Sequence, residues 1–217
     1  MTLDELDRTA RPLGLAVRGA LHPAPEDAAP EGTGTLVLLG PDEPGFWDLF
    51  KSSAEYRDGR PHPLDRWSKR VTGGLGAPFG ATGIFPYDGP PYAPFLRWAA
   101  RCGTSWSSPV SLLVHDTAGL FISFRSALAL PTMLDLPGTP ANPCPTCEDK
   151  PCQTACPVGA LAPGQDYDVP ACVAHLKSAN GAACREGCLV RRACPVSARF
   201  GRLTEQSAFH MRAFLGE

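Results

Sequence analysis

Eight of the nine cysteines of this chain lie between Cys144 and Cys194. Thiolates in such numbers bind zinc or iron–sulfur clusters, or they pair as disulfides in an oxidising compartment. The N-terminal segment MTLDELDRTARPLG contains no apolar stretch typical of a secretory signal. We therefore expect a cytoplasmic protein, in which a dense cysteine group indicates metal binding or redox chemistry rather than a disulfide framework.

The first cysteine run has the spacing of an iron–sulfur ligand loop. Its pattern is C-x2-C-x4-C-x3-C-P, formed by Cys144, Cys147, Cys152 and Cys156. The bacterial ferredoxin pattern, C-x2-C-x2-C-x3-C-P, differs only in a second gap shorter by two residues. Zinc ribbons and fingers instead separate two cysteine pairs by about a dozen residues or more. Four cysteines in one short loop therefore favour a [4Fe-4S] cluster over a zinc ion.

The second cysteine run is less regular. Cys172 stands apart, and Cys184, Cys188 and Cys194 form the pattern C-x3-C-x5-C, followed by Pro195. The repeated Cys-Pro is typical of the last cysteine of a ferredoxin half. We expect a second [4Fe-4S] cluster here. The alternatives are one cluster with four free thiols, and one cluster with a zinc ion.

The two runs are expected to exchange one ligand each. In two-cluster ferredoxins the fourth cysteine of a run binds the cluster of the other run. If this exchange applies, the first cluster is bound by Cys144, Cys147, Cys152 and Cys194. The second cluster is then bound by Cys156, Cys172, Cys184 and Cys188.

Arginines are concentrated around the second run, and Glu186 is the only acidic residue from 184 to 202. Their positive charge would stabilise a reduced, more negative cluster and raise its potential. The alternatives are a solvated helix face and a docking patch for an acidic electron donor. The arginines concerned are Arg185, Arg191, Arg192, Arg199 and Arg202.

The remaining composition limits the function classes. The 20 Lys and Arg against 22 Asp and Glu give a net charge of -2, which argues against a protein whose main role is to bind nucleic acid. No stretch approaches the roughly 18 uninterrupted apolar residues of a membrane span. Neither a G-x-G-x-x-G fingerprint nor a Walker loop is present, so no nucleotide site is predicted.

Cysteine content divides the chain into residues 1–143, which contain only Cys102, and residues 144–217, which contain the other eight. The boundary follows the Pro-rich segment at 136–143. Cys102 itself is expected to be a small buried hydrophobic residue. In the first part, periodicity and apolar runs predict helices at the N-terminus, 45–57, 63–75 and 92–102, and strands at 14–20, 35–40, 82–86, 111–115, 120–124 and 127–131. This mixture predicts an α+β fold, with a sandwich of helices and strands before the cysteine region.

Several segments resemble a group of corrinoid and iron–sulfur proteins. Residues 90–131, PPYAPFLRWAARCGTSWSSPVSLLVHDTAGLFISFRSALALP, and YDVPACVAHL at 167–176 resemble epoxyqueuosine reductase and, more distantly, the reductive dehalogenases. HPLDRW at 62–67 and TEQSAFHMRAF at 204–214 are similar to the CblC-type cobalamin chaperone. The cysteine loop and the PVGAL that follows it resemble the iron–sulfur subunits of the dimethyl sulfoxide reductase type.

This resemblance implies a nitroreductase-like, CblC-like α/β sandwich over residues 1–143 and a small ferredoxin-like domain with two [4Fe-4S] clusters over residues 144–217. The cysteines themselves predict an iron–sulfur redox protein that transfers single electrons, with electron donor and acceptor proteins or a small-molecule substrate as its partners. The alternative is a corrinoid-dependent reductase or cobalamin-processing enzyme, whose clusters reduce a cobalamin bound by the first domain above the strands at 111–115 and 120–124. A purely structural metal domain is the third hypothesis.

The chain departs from epoxyqueuosine reductase where that family carries its proton donor. The family's catalytic aspartate would fall at Gly89, next to Asp88. The helical repeats that hold tRNA in that family have no counterpart, so tRNA modification is not expected. Asp88, Tyr87 and Tyr92 are left as candidate acids. The alternative is that they are surface turn residues of the segment DGPPY.

Overall fold

The computed structural model describes all 217 residues, which form two compact units. The first unit comprises residues 1–104 and 123–140, and the second comprises residues 105–122 and 141–217. The predicted domain boundary between residues 143 and 144 lies next to the last point at which the chain passes between the units, and it stays a prediction. Nothing in the composition indicated that residues 105–122 pack with the cysteine region.

The chain contains ten α-helices and six strands. The helices of the first unit are α1 (Leu3–Ala10), α2 (Phe46–Ser52), α3 (Ala54–Arg57), α4 (Pro63–Gly76) and α5 (Phe95–Arg101). The strands are β1 (Leu15–Leu21), β2 (Thr35–Pro41), β3 (Thr82–Ile84), β4 (Ser105–Ser107), β5 (Leu113–His115) and β6 (Ser126–Leu130). The helices of the second unit are α6 (Val169–Lys177), α7 (Ala182–Arg185), α8 (Leu189–Ala193), α9 (Pro195–Arg199) and α10 (Thr204–Leu215). No helix has both the length and the apolar composition needed to cross a membrane.

The first helix begins with a capping box formed by Thr2 and Glu5. The Thr2 hydroxyl accepts the Glu5 amide N–H at 3.2 Å, and the Thr2 amide N–H donates to the Glu5 carboxylate at 2.7 Å. These two bonds satisfy amide groups that have no partner inside the helix. Leu6 and Ala10, one turn apart, are buried. The cap therefore fixes the helix register that buries this apolar stripe.

The first unit is built on a four-stranded antiparallel sheet in the order β1-β2-β6-β3. Every residue of β2 and β6, the two central strands, is buried. Their sequences, TLVLLGP and SALAL, are almost continuously apolar, as expected for strands covered on both faces. The mixed helix and strand content agrees with the predicted α+β class.

Three of the predicted elements differ from the structure. The helix expected at 45–57 is interrupted at Ser53, whose hydroxyl accepts the Tyr56 amide N–H at 3.3 Å and caps a separate helix α3. The strand predicted at 111–115 exists as β5, but it pairs with β4 in a separate two-stranded ladder. The expectation that it belongs to the main sheet is therefore wrong.

The strand predicted at 120–124 is wrong, because its backbone groups are bound by side chains. The Leu120 amide N–H donates to the Ser197 hydroxyl at 2.8 Å, and the Leu120 carbonyl accepts the Arg191 guanidinium. The Phe121 carbonyl accepts Arg202 at 3.1 Å. A strand needs these groups for a neighbouring strand, so the apolar run forms an irregular segment instead.

Cys102 lies against strand β1 at a point where only glycine fits. A Cβ atom added to Gly19 would be 2.7 Å from the Cys102 Cβ atom and 2.8 Å from the Thr104 hydroxyl oxygen. The Cys102 side chain is half-buried, and burial raises the pKa of its thiol to about 12. This thiol therefore stays protonated and acts as a packing group, although the residue is half-buried rather than fully buried as the sequence predicts.

The contact at Gly19 makes a prediction about stability. Gly19→Ala is expected to lower the free energy of unfolding by about 1–3 kcal/mol, because the added methyl group overpacks a filled site. Gly73→Ala is the matched control, since Gly73 is exposed within α4 and has nothing within 4 Å of the added atom. It is expected to raise the free energy of unfolding by about 0.5–1 kcal/mol. Urea unfolding measures both, and a Gly19→Ala protein as stable as the parent would contradict the packing.

Candidate metal centre

All eight cysteines of the two runs lie in the second unit, and every cysteine of the chain is a free thiol. The first run occupies irregular backbone, with Cys152 in a short 3-10 turn at Pro151–Gln153. Cys156 begins a tight turn rather than a helix, with its carbonyl accepting the Gly159 amide N–H at 3.2 Å. Cys172 and Cys184 lie in α6 and α7, while Cys188 and Cys194 flank the two ends of α8.

Local hydrogen bonds shape the first cysteine loop. The Cys144 amide N–H donates to the Asn142 side-chain oxygen at 2.9 Å, and the Cys147 amide N–H donates to the Cys144 carbonyl at 3.3 Å. Lys150 has a left-handed backbone with φ of 39°. The chain therefore turns sharply at Lys150, before the 3-10 turn that carries Cys152.

Helix α8 connects a cysteine of one predicted ligand set to a cysteine of the other. Cys188 is its N-cap residue and Cys194 its C-cap residue. The helix stops at Cys194 because the following residue, Pro195, disfavours helical backbone in the residue before it. Pro195 is also favourable as the first residue of α9. At a rise of 1.5 Å per residue, the six steps from Cys188 to Cys194 span about 9 Å.

Four thiols line a single cavity of about 390 Å³. The cavity contains three cysteines of the first run together with the last cysteine of the second run, and it contains none of the other four. Apolar residues of the β4–β5 region, Val114 and Leu120, form part of its wall. The cysteines that line it are Cys144, Cys147, Cys152 and Cys194. These are the four residues that ligand exchange assigns to the first cluster.

The electrostatic influence of the cysteines on one another divides them into the same two groups. Burial raises the pKa of Cys144, and the thiolate charges of Cys152, Cys194 and Cys147 raise it further. Burial likewise raises the pKa of Cys152, with further contributions from Cys194 and Cys147. Electrostatic repulsion of this kind requires neighbouring sulfur atoms. The first set is therefore a group of thiols whose ionised forms repel one another.

The other four cysteines influence one another in the same way. Burial raises the pKa of Cys184, and the charges of Cys188, Cys156 and Cys172 raise it further. Burial is also the main cause of the raised pKa of Cys172, to which Cys188 and Cys156 add. Cys156 therefore acts on cysteines of the second run although it belongs to the first run in sequence.

Two hydrogen bonds reach sulfur atoms of this second set. The Tyr167 hydroxyl bonds to Cys172 and lowers the pKa of that thiol, and the backbone at Leu189 does the same for Cys184. Burial raises the pKa of Tyr167, so its hydroxyl keeps its proton and donates it. Hydrogen bonds to ligand sulfurs are a means by which proteins adjust iron–sulfur potentials. Tyr167 is not among the site residues that the sequence predicts.

The donor chemistry of the site fits an iron–sulfur cluster. Each set offers four thiols, and cysteine thiolate is the ligand that such clusters require. A positively charged core would offset the burial and repulsion that hold the thiols protonated. No three or more His, Cys, Asp or Glu side chains are close enough together to bind one metal ion. The cysteine ligands of a cubane are bonded to different iron atoms and need not lie that close.

An apolar cluster surrounds the thiols and includes residues from the β4–β5 region. Cys152 and Cys194 are themselves buried in it. The aliphatic members are Val110, Val114, Leu120, Leu161 and Val190. Residues 105–122 are not among the predicted site residues, because their apolar runs are typical of strands of the main sheet.

Four of the five arginines near the second run bind backbone carbonyls, and one of them, Arg199, donates to the Pro195 carbonyl at 3.3 Å within its own helix. Arg185 donates to the Leu176 and Ser178 carbonyls, and Arg191 and Arg202 bind the segment at 120–121. Desolvation lowers the pKa of Arg191, while the Cys188 charge opposes this effect. The exposed Arg192 lines a smaller cavity of about 170 Å³. These arginines therefore hold the loop structure as well as providing positive charge.

The three candidate acids lie in the first unit, in or near the turn that follows β3. The Tyr87 hydroxyl donates to the Asp65 carbonyl at 2.7 Å, and burial raises the pKa of Tyr87. Asp88 forms an ion pair with Lys69 at 2.7 Å. Tyr92 is 64% exposed. Their contacts give each residue an ordinary structural or surface role.

Comparison of the chain with models of protein families, with curated proteins and with solved structures found no match.

Proposed function

We propose that the second unit binds two [4Fe-4S] clusters and transfers single electrons between a donor and an acceptor protein. The observation that supports this proposal is the way the thiols group across the two runs. Cys194 lines one cavity with three cysteines of the first run, while Cys156 acts electrostatically on Cys172 and Cys184. Two-cluster ferredoxins distribute their cysteines in this manner.

The cysteines would hold the clusters, and each bound cluster would accept and release one electron. The first set offers Cys144, Cys147, Cys152 and Cys194, and the second offers Cys156, Cys172, Cys184 and Cys188. Helix α8 keeps the two sets at a fixed separation, with about 9 Å between its flanking cysteines. A short, fixed separation favours electron transfer from one set to the other.

The surrounding residues limit the access of water to the sulfur atoms. Val114 and Leu120 form an apolar wall of the first cavity, while Glu148 and Asp149 are exposed on its rim. A low-dielectric wall strengthens the effect of nearby charges on the potential. The exposed rim is the side on which a donor or acceptor protein would approach.

The resemblance also implies a nitroreductase-like first domain that binds cobalamin. The antiparallel sheet β1-β2-β6-β3 is compatible with an α+β domain and with no more specific conclusion. The corrinoid-dependent reduction therefore stays a prediction, and a titration decides it.

Metal analysis tests the proposed clusters. Protein purified without oxygen is expected to contain about eight iron and eight sulfide per chain, because eight thiols suffice for two [4Fe-4S] clusters. Its visible spectrum should lose intensity on reduction with dithionite. An iron content of about four atoms per chain would reject the second cluster. Zinc in stoichiometric amount without iron would contradict the proposal.

Single substitutions test the exchange of ligands. Cys194→Ser is expected to damage the cluster bound by Cys144, Cys147 and Cys152, and Cys156→Ser the cluster bound by the second run. Paramagnetic resonance of each reduced variant separates the two signals. Cys102→Ser is the matched control, since Cys102 lies in the first unit and should leave both signals intact. Damage confined to each residue's own run would show that ligands are not exchanged.

A titration tests the corrinoid hypothesis. If the first domain binds a corrinoid, cob(II)alamin added to the cluster-loaded protein should shift its absorption and paramagnetic resonance spectra at tens of micromolar, an affinity of about -6 kcal/mol. The titration uses the full chain, so the first unit need not be produced separately. Absence of any spectral change at that concentration would leave electron transfer as the proposed function.

A further inference from the structure

The β4–β5 turn places one buried hydroxyl at the cavity of the first cysteine set. Ser108 is only 7% exposed, and its Oγ atom has no hydrogen-bond partner. The same residue lines the cavity that contains Cys144, Cys147, Cys152 and Cys194. A buried hydroxyl without a partner is rare in native proteins and calls for an explanation at each occurrence.

Two hydrogen bonds hold the backbone of Ser108 in place. Its amide N–H donates to the Leu112 carbonyl at 2.8 Å, and its carbonyl accepts the Ser111 amide N–H at 3.0 Å. Ser111 has a left-handed backbone with φ of 59°, which closes the turn. Both backbone groups of Ser108 are therefore satisfied by the turn itself. The side-chain hydroxyl is the one polar group of this cavity-lining residue that has no partner.

We propose that the Ser108 hydroxyl donates a hydrogen bond to a sulfur atom of the cluster bound by the first set, and that this bond raises the reduction potential of that cluster. This inference rests on the proposed function. Reduction adds negative charge to the cluster, so a fixed donor stabilises the reduced state more than the oxidised state. Ser108 affects the potential of the cluster through this hydrogen bond and does not bind iron.

The same hairpin contains a matched control. Ser105 is 2% exposed and its Oγ atom also has no hydrogen-bond partner. It lies in β4, three residues before Ser108, and does not line the cavity. Ser105→Ala and Ser108→Ala therefore both remove a buried hydroxyl from this hairpin. Only Ser108→Ala removes a hydroxyl from a residue that lines the cavity.

Redox titration followed by paramagnetic resonance tests the inference on the full, cluster-loaded chain. The first-set signal is identified as the one that Cys194→Ser removes. Ser108→Ala should shift its midpoint to a more negative potential by about a tenfold change in the one-electron equilibrium constant, which is about 59 mV. The second-set midpoint should not move. Ser105→Ala should change neither midpoint, and Ser108→Thr, which keeps a hydroxyl, should retain the parent potential.

Three results would overturn the inference. They are an unchanged first-set midpoint in Ser108→Ala, an equal shift in Ser105→Ala, and an equal shift in Ser108→Thr. If Ser108→Ala does not retain the first cluster, the unsubstituted protein is compared in light and heavy water. The proposed bond requires that an exchangeable proton be magnetically coupled to the first-set cluster. If that coupling is absent, the inference is rejected. A protein without iron would instead reject the proposed function, so the two failures are distinguishable.

Discussion

The second unit must keep groups of thiols together although burial and mutual repulsion both oppose their ionisation. Burial raises the pKa of Cys144, Cys152, Cys172 and Cys184, and neighbouring thiolates raise it further. Thiols under this constraint stay protonated until a cation replaces their protons. At these four positions the arrangement is unfavourable for free thiolates and favourable for metal ligands. The remaining structure of the unit can be understood from this electrostatic requirement.

Short helices and turns, rather than long helices, keep the thiols together. Helix α8 is only five residues long, and its two flanking cysteines belong to different sets. Pro195 ends α8 and starts α9, so the position of Cys194 is fixed by covalent geometry as well as by packing. A longer helix would separate the two sets, and a flexible loop would leave their separation undefined. The separation is thereby set by helix geometry.

Residues far away in sequence complete the surroundings of the thiols. Val110, Val114 and Leu120 belong to the apolar cluster that contains Cys152 and Cys194. Arg191 and the Ser197 hydroxyl bind the backbone of Leu120 and hold it there. The cysteine loops therefore do not form an independent minimal ferredoxin, because part of their wall comes from residues 105–122. Deletion of that segment would expose the sulfur atoms to water.

The sequence alone determined which thiols could act together at the candidate site, and the tertiary structure determined their surroundings. Cysteine spacing is a local property, so the two ligand sets could be written down from Cys-Pro positions and the exchange rule. The capping box at Thr2 and Glu5 is local in the same way. The segment at 120–124 has the apolar pattern of a strand, yet distant side chains bind its backbone and prevent pairing. The environment of Ser108 likewise depends on cysteines that follow it by at least 36 residues, and no pattern in its own neighbourhood encodes them.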